Sequence, residues 1–119
     1  MATQTDFQRL KDADEVFIET RSAESTYRTV IWVAADRDTL YVRSYRGDSG
    51  RWYQRALADS DVALTLDDIR VEFTAVPAVD DVSIERASEG FVRKYPAGPS
   101  LDGMVAPGVL HTTMRLEPV

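Results

Sequence analysis

Four arginines, Arg43, Arg46, Arg51 and Arg55, stand in one short window whose only acid is Asp48. Arginine carries a permanent charge on a planar fork that grips phosphate through two parallel hydrogen bonds, so a local cluster suits a small anion. The window 43–55 has a net charge of +3 in a chain whose formal charge is −6. A basic island in an acidic protein fits a discrete anionic ligand better than a nucleic-acid track, which needs a whole basic face. Arg51 and Arg55, four residues apart, share one face if that segment is helical. Ser44 adds a hydroxyl, and Gly47 and Gly50 bracket a turn where backbone amides could approach an anion. No Walker or dinucleotide fingerprint accompanies them. Trp32, Tyr41, Tyr45, Trp52 and Tyr53 crowd the same region, and an indole offers a large flat surface with one donor. The plainer account has arginines paired with surface acids, glycines serving only as turns and aromatics serving as core. Arginine outnumbers lysine 12 to 2, which makes some clustering expected without function.

Other chemistries find little support. Cysteine is absent, which removes disulfides, thiolate nucleophiles and thiolate metal sites together. His111 is the one histidine, so a multi-histidine metal centre is excluded and no metal site is expected. Asp67-Asp68 and Asp80-Asp81 read as a hairpin turn and a helix cap, not as a carboxylate dyad. No general base or nucleophile stands out. That pattern fits a protein whose cofactor does the chemistry, and equally a binding module that is not an enzyme. The first residues carry no basic start or apolar run, and no segment approaches membrane-spanning length. The expectation is a single domain over residues 1–119, cytoplasmic, without nucleic-acid or membrane partners.

The elements that must hold the arginines follow from the periodicity of apolar residues. Residues 5–11 could make a short helical turn with Phe7 and Leu10 on its apolar side. Residues 15–20 read as a first strand, and 22–26 as a turn. Residues 27–35 are apolar on both faces and predict a central strand; 36–38 turn the chain, and 39–45 return it. A helix over about 49–58 is expected to turn Trp52, Tyr53, Ala56 and Leu57 inward. Val62, Leu64 and Leu66 alternate in the next strand, and Ile69, Val71, Phe73 and Ala75 in the one after. Asp80 or Asp81 then caps a helix with Ile84, Ala87, Phe91, Val92 and Tyr95 at helical spacing. Residues 96–108 hold three prolines and three glycines and predict an irregular loop, a candidate lid. A last strand over 109–117 would bury Leu110, Thr112, Met114 and Leu116, with His111 on its opposite face. The sum is a mainly β fold, a six-stranded antiparallel split barrel with two or three short helices.

With those elements in place, the chain resembles the flavin-binding split β-barrel superfamily typified by pyridoxamine 5′-phosphate oxidase. The resemblance rests on Thr29-Val30-Ile31-Trp32-Val33, Leu40-Tyr41-Val42-Arg43-Ser44, Arg51 with Ala56-Leu57-Ala58, and Asp59-Ser60-Asp61-Val62-Ala63-Leu64. It covers roughly residues 14–78. Tyr41-Val42-Arg43-Ser44-Tyr45-Arg46-Gly47 and the terminal Thr112-Thr113-Met114-Arg115-Leu116-Glu117-Pro118 look like an uncharacterised bacterial branch of that superfamily. The resemblance implies a cytoplasmic homodimer with FMN or a deazaflavin in the cleft between subunits, and a possible oxidoreductase. It implies that Arg43, Ser44 and Arg51 hold the cofactor phosphate, while Thr29 and Trp32 lie near the ring. Arg46, Arg55 and Trp52 complete the candidate set. Arg51 stands where lysine is common in the family, and the long C-terminal substrate-binding segment of the better-known oxidases has no counterpart. Two further readings stay open: a flavin-free module for another phosphate-bearing or anionic molecule, and an interaction protein whose aromatics form an interface.

Overall fold

The computed structural model describes residues 3–119. Their helices are α1 (Gln4–Asp12), α2 (Arg51–Ala58), α3 (Asp81–Lys94) and α4 (Pro99–Met104). Their strands are β1 (Val16–Ser22), β2 (Ser25–Ile31), β3 (Ala34–Asp36), β4 (Thr39–Val42), β5 (Asp61–Leu66), β6 (Ile69–Pro77) and β7 (Met114–Pro118). Two 3₁₀ segments, Gly47–Ser49 and Pro107–Thr112, precede α2 and β7.

The strands form one antiparallel sheet in the order β2-β1-β5-β6-β7-β4-β3. β2 and β3 therefore lie at opposite edges, although only Trp32 and Val33 separate them in the chain. Laid flat, strands spaced ~4.8 Å apart would put those edges about 29 Å from each other. The backbone from Ile31 to Ala34 reaches at most about 11 Å. The sheet must curl until its edges approach, and the result is a split barrel.

Ile18, Val42, Leu64, Phe73 and Met114 fill the curl, with Leu10 from α1 and Trp52 and Ala56 from α2 packed against them. β6 shows the alternation plainly, Ile69, Val71, Phe73 and Ala75 inward and Arg70 and Glu72 outward. β4 is buried on both faces. Leu40 and Val42 join the barrel core, while Tyr41 meets Ala87 of α3 on the other side. A second small core joins Ala34, Phe91, Tyr95, Leu101 and Met104 between β3, α3 and α4. α1 begins at Thr3, whose hydroxyl accepts from the Asp6 amide while the Asp6 carboxylate accepts from the Thr3 amide. α3 begins at Asp80, whose carboxylate accepts from the Ser83 amide.

The mainly β, antiparallel split barrel is as expected, and several details differ. Residues 27–35 are not one central strand: they break at Trp32-Val33 into the two edge strands, which raises the strand count from six to seven. The alternation runs unbroken through the break, so periodicity could not show it. The returning strand stops at Val42 rather than continuing to Tyr45. Among the described residues there are four α-helices, not two or three, because residues 96–108 hold α4, started by Pro99 at its first position. Leu57 and Val92 face outward, at the borders of their helices' apolar stripes. The last strand begins at Met114; Leu110, His111 and Thr112 belong to the 3₁₀ turn before it.

Candidate binding cleft

The alternation of β4 decides where Arg43 goes. Side chains on a strand point to opposite faces in turn, so Arg43 follows Tyr41 toward α3 and away from the barrel core. It is 1% exposed, the largest fully buried side chain among the described residues. Its Nε donates to Thr113 Oγ1 at 2.7 Å, Nη1 to Ser88 Oγ at 2.8 Å and to the Met104 carbonyl at 3.3 Å, and Nη2 to the Ile84 carbonyl at 2.8 Å. The Phe91 ring lies beneath the guanidinium, 5.6 Å from its centroid. Burial lowers the Arg43 pKa to about 10, which leaves it charged near neutrality. No carboxylate pairs with it among the described residues. Its charge is held by neutral acceptor oxygens from α3, α4 and the entry to β7, and the guanidinium that donates to all of them ties the three together.

Ser44 is also buried and committed. Its amide donates to Thr112 Oγ1 at 3.0 Å and its hydroxyl to the Gly47 carbonyl at 2.7 Å. Gly50 lies against that hydroxyl so closely that a Cβ there would fall 2.1 Å from Ser44 Oγ. Only glycine lets the chain turn into α2 here. α2 starts with no side-chain cap and no acid in its first turn, so its N-terminal amides and Arg51 present positive charge together.

Two adjoining cavities open beside this corner. The larger, about 560 Å³, is lined by Arg28, Arg46, Arg51 and Arg55, with no carboxylate residue in its wall. Thr29, Ser44 and Trp52 complete the expected set there. The smaller, about 250 Å³, is lined by Trp32 and Arg43, with Glu15, Ser100 and Met104 opposite. Val30, Tyr45 and Trp52 border both. All eight expected residues thus line one or the other of these adjoining cavities, but in two different states. Arg43 and Ser44 have their polar groups spent on the protein. Arg46 and Arg51 have no acid within ion-pair distance among the described residues, because Asp48 turns its carboxylate to His111 Nε2 at 2.7 Å. Arg55 gives Nε to Thr20 Oγ1 at 2.8 Å and stacks on Tyr27, 4.2 Å from its centroid.

Trp32, at the break between the edge strands, lies flat on Tyr95 with centroids 3.8 Å apart and planes 3° from parallel. The Tyr95 hydroxyl fixes that stack, donating to the Asp14 carbonyl at 2.6 Å and accepting from the Val33 amide at 3.2 Å. Burial pushes the Tyr95 pKa up to about 12. Lys94 beside it donates to the Val33 carbonyl at 2.8 Å, and burial lowers its pKa to about 8.

The sequence reading missed Arg28 and Tyr27 as cleft residues, and it missed Glu15, Ser100 and Met104 in the smaller cavity. Tyr27 and Arg28 could have been suspected once residues 25–31 were placed on an edge, since both faces of an exposed edge strand are available. Ser100 and Met104 reach the cavity through α4, where the Tyr45 ring lies directly on Gly103. A Cβ on Gly103 would stand 2.4 Å from Tyr45 Cε1.

Residues 6–116 match the model of a family described as an uncharacterized protein conserved in bacteria, DUF2255. The chain belongs to this family. No curated protein matches it. Among solved structures, it is similar to a candidate pyridoxamine 5′-phosphate oxidase from Listeria innocua, at 15% identity over 96% of this chain and 90% of that one, with a TM-score of 0.68. It is similar to the FAD binding protein from Mycobacterium smegmatis, at 14% identity over 100% and 92% of the two chains, TM-score 0.69. A FAD-binding protein from Mesorhizobium loti gives 13% identity over 100% and 91%, TM-score 0.65. The resemblance to the pyridoxamine 5′-phosphate oxidase-like split barrel is borne out at the level of the fold. No helix among the described residues is long and apolar enough to cross a membrane.

Proposed function

We propose that this DUF2255 protein is a cytoplasmic homodimer that binds a flavin-type cofactor, FMN or a deazaflavin on the family pattern, in the arginine-lined recess. The observation that carries the reading is the larger cavity's wall, four arginines without a carboxylate beside the indole of Trp52. That donor set fits a phosphate at one end of a flat ring. The volume falls in the range of small-molecule sites, about 300–1,000 Å³. Structural neighbours that are themselves named FAD-binding support the cofactor class.

Within this reading, Arg46 and Arg51 supply the charge-assisted donors for phosphate, and Arg55 is held in place by Thr20 and Tyr27. Trp52 and Tyr45 offer ring surfaces at the border of the two cavities, and the Trp32–Tyr95 stack stiffens the far wall. Arg43 is the positioning residue that holds α4 and the 3₁₀ turn against the strands. A bound flavin would supply reversible hydride acceptance, which the side chains alone lack. Tyr27, Val30 and Tyr45 are 43%, 48% and 55% exposed around the opening, apolar surface that a second copy would cover.

The deciding experiment is an absorbance spectrum of concentrated protein after loading with FMN or a deazaflavin and desalting. A retained flavin band, lost in Arg46→Gln/Arg51→Gln, is expected; each arginine removed should weaken binding about tenfold, since a charged hydrogen bond contributes about 1.5 kcal/mol or more. Sedimentation of the loaded protein should give a dimer. A colourless protein unaffected by flavins but stabilised by another phosphate compound would replace this reading with a flavin-free anion-binding module.

A further inference from the structure

The cleft offers more donors than one phosphate can take up. We infer that it recognises a diphosphate bridge, with the group beyond the second phosphate seated in a further polar compartment next to Arg55. This rests on the anion site proposed above, though not on the ring being a flavin.

Arg46 and Arg51 alone can satisfy a phosphate monoester, because each guanidinium fork takes two of its oxygens. Arg55 lies one helical turn further, about 6 Å along α2. With Nε on Thr20 and its face on Tyr27, its two terminal amino groups have no partner among the described residues. Arg28 on β2 lines the same cleft, and its approach to Glu19 is 3.9 Å, too long for a hydrogen bond. Arg55 therefore adds a third cation beside the first pair, while Arg28 keeps Glu19 as its ion-pair partner across the strands. Arg51 and Arg55 also repel each other across one turn of helix, a conflict that anions at both ends of the cleft relieve.

Beyond Arg55 the surface opens into another cavity of about 350 Å³, bounded by Arg21, Ser22, Gln54 and Asp59. Arg55 is a wall of both spaces. A hydroxyl, a carboxamide and a carboxylate there match the hydroxyl groups of a sugar better than an apolar ring. A ligand whose second phosphate reaches Arg55 passes naturally from one space into the next. The site thus favours a dinucleotide-type cofactor or nucleoside diphosphate derivative over the mononucleotide FMN, which it would still hold at the first phosphate.

The test is calorimetric titration of the whole protein with inorganic phosphate, pyrophosphate, FMN and FAD at matched ionic strength. A phosphate monoester and a diphosphate diester each bring about two negative charges near neutral pH, so the FMN and FAD pair does not simply report total charge. Pyrophosphate should bind at least about tenfold tighter than phosphate, roughly 1.4 kcal/mol, and FAD should show the same margin over FMN. Arg55→Gln, checked for folding by melting without ligand, should cut both margins to about threefold or less, a ratio that a uniform loss of anion affinity would leave unmoved. Pyrophosphate within about tenfold of phosphate overturns the inference, and FMN binding in that case leaves the flavin reading standing. A pyrophosphate margin that Arg55→Gln abolishes, with no binding of either flavin, supports the diphosphate site and removes the flavin.

Discussion

Replacing Arg43 by methionine should loosen the protein far more than it disturbs anion binding. Methionine roughly fills the space but donates nothing, so Thr113 Oγ1, Ser88 Oγ and the carbonyls of Ile84 and Met104 lose a buried partner. A hydrogen bond to a charged group contributes about 1.5–3 kcal/mol, and four of them sum to a large gross figure. Against that stands the cost of keeping a cation out of water, several kcal/mol, which the variant no longer bears. The expected net loss is about 3 kcal/mol, the lower end of what breaking a buried charged network costs. For a domain of this size that is a fall in Tm of about 12 °C. Urea and thermal unfolding give the number, and hydrogen exchange gives the place: amides of α4 and of the 3₁₀ turn before β7 should lose protection first. Arg43→Lys should recover only part, since one ammonium cannot span acceptors on three elements. Stability within about 1 kcal/mol of wild type, with α4 still protected, would refute this account and return Arg43 to the pool of ligand-binding arginines.

Three further outcomes follow from single sites. Lys94 is held below its ordinary pKa by burial, at about 8 against 10.5, so between those values the unfolded chain binds more protons than the folded one. Stability should therefore rise with pH from about 8 toward 10.5 relative to Lys94→Met, and a difference flat in pH would contradict the burial. Gly50→Ala forces a carbon onto Ser44 Oγ and should cost about 1–3 kcal/mol by urea unfolding; a neutral result would mean the α2 entry moves freely. Thr65→Val replaces a buried hydroxyl that has no partner among the described residues and should be neutral or stabilising by about 1 kcal/mol in the same assay. A loss above that would reveal a hidden partner.

What could be read in the residues was whatever repeats locally. The strands around Leu64 and Phe73 and the helix through Ala87 and Phe91 announce themselves by period, and Asp80 marks the helix start by its chemistry. The break at Trp32-Val33 could not be read, because sheet order rather than local preference forces it. α4 was hidden by its glycines and prolines, although Pro99 at a first helical position is itself a start signal. For the cleft, arginine density located the corner and nothing local could divide its members. Arg43 differs from Arg46 only through partners at residues 84, 88, 104 and 113, which no window of sequence brings together. Asp48 is the only acid in the arginine window, and His111, sixty-three positions away, takes its carboxylate.

The strand order has a consequence for how the chain is made. β4 has β3 on one side and finds its other neighbour only in β7, which is synthesised some seventy residues later. A chain emerging from the ribosome can pair β1 with β2 and β5 with β6 as they appear, but the β3–β4 hairpin must wait with one edge bare. Arg43 waits with it, since the turn carrying Thr113 has not yet been made. Folding should therefore be withheld until β7 emerges and then complete abruptly. That delay exposes the hairpin edge to other chains, so expression yield should respond to changes on β4's unpaired side more sharply than finished stability does.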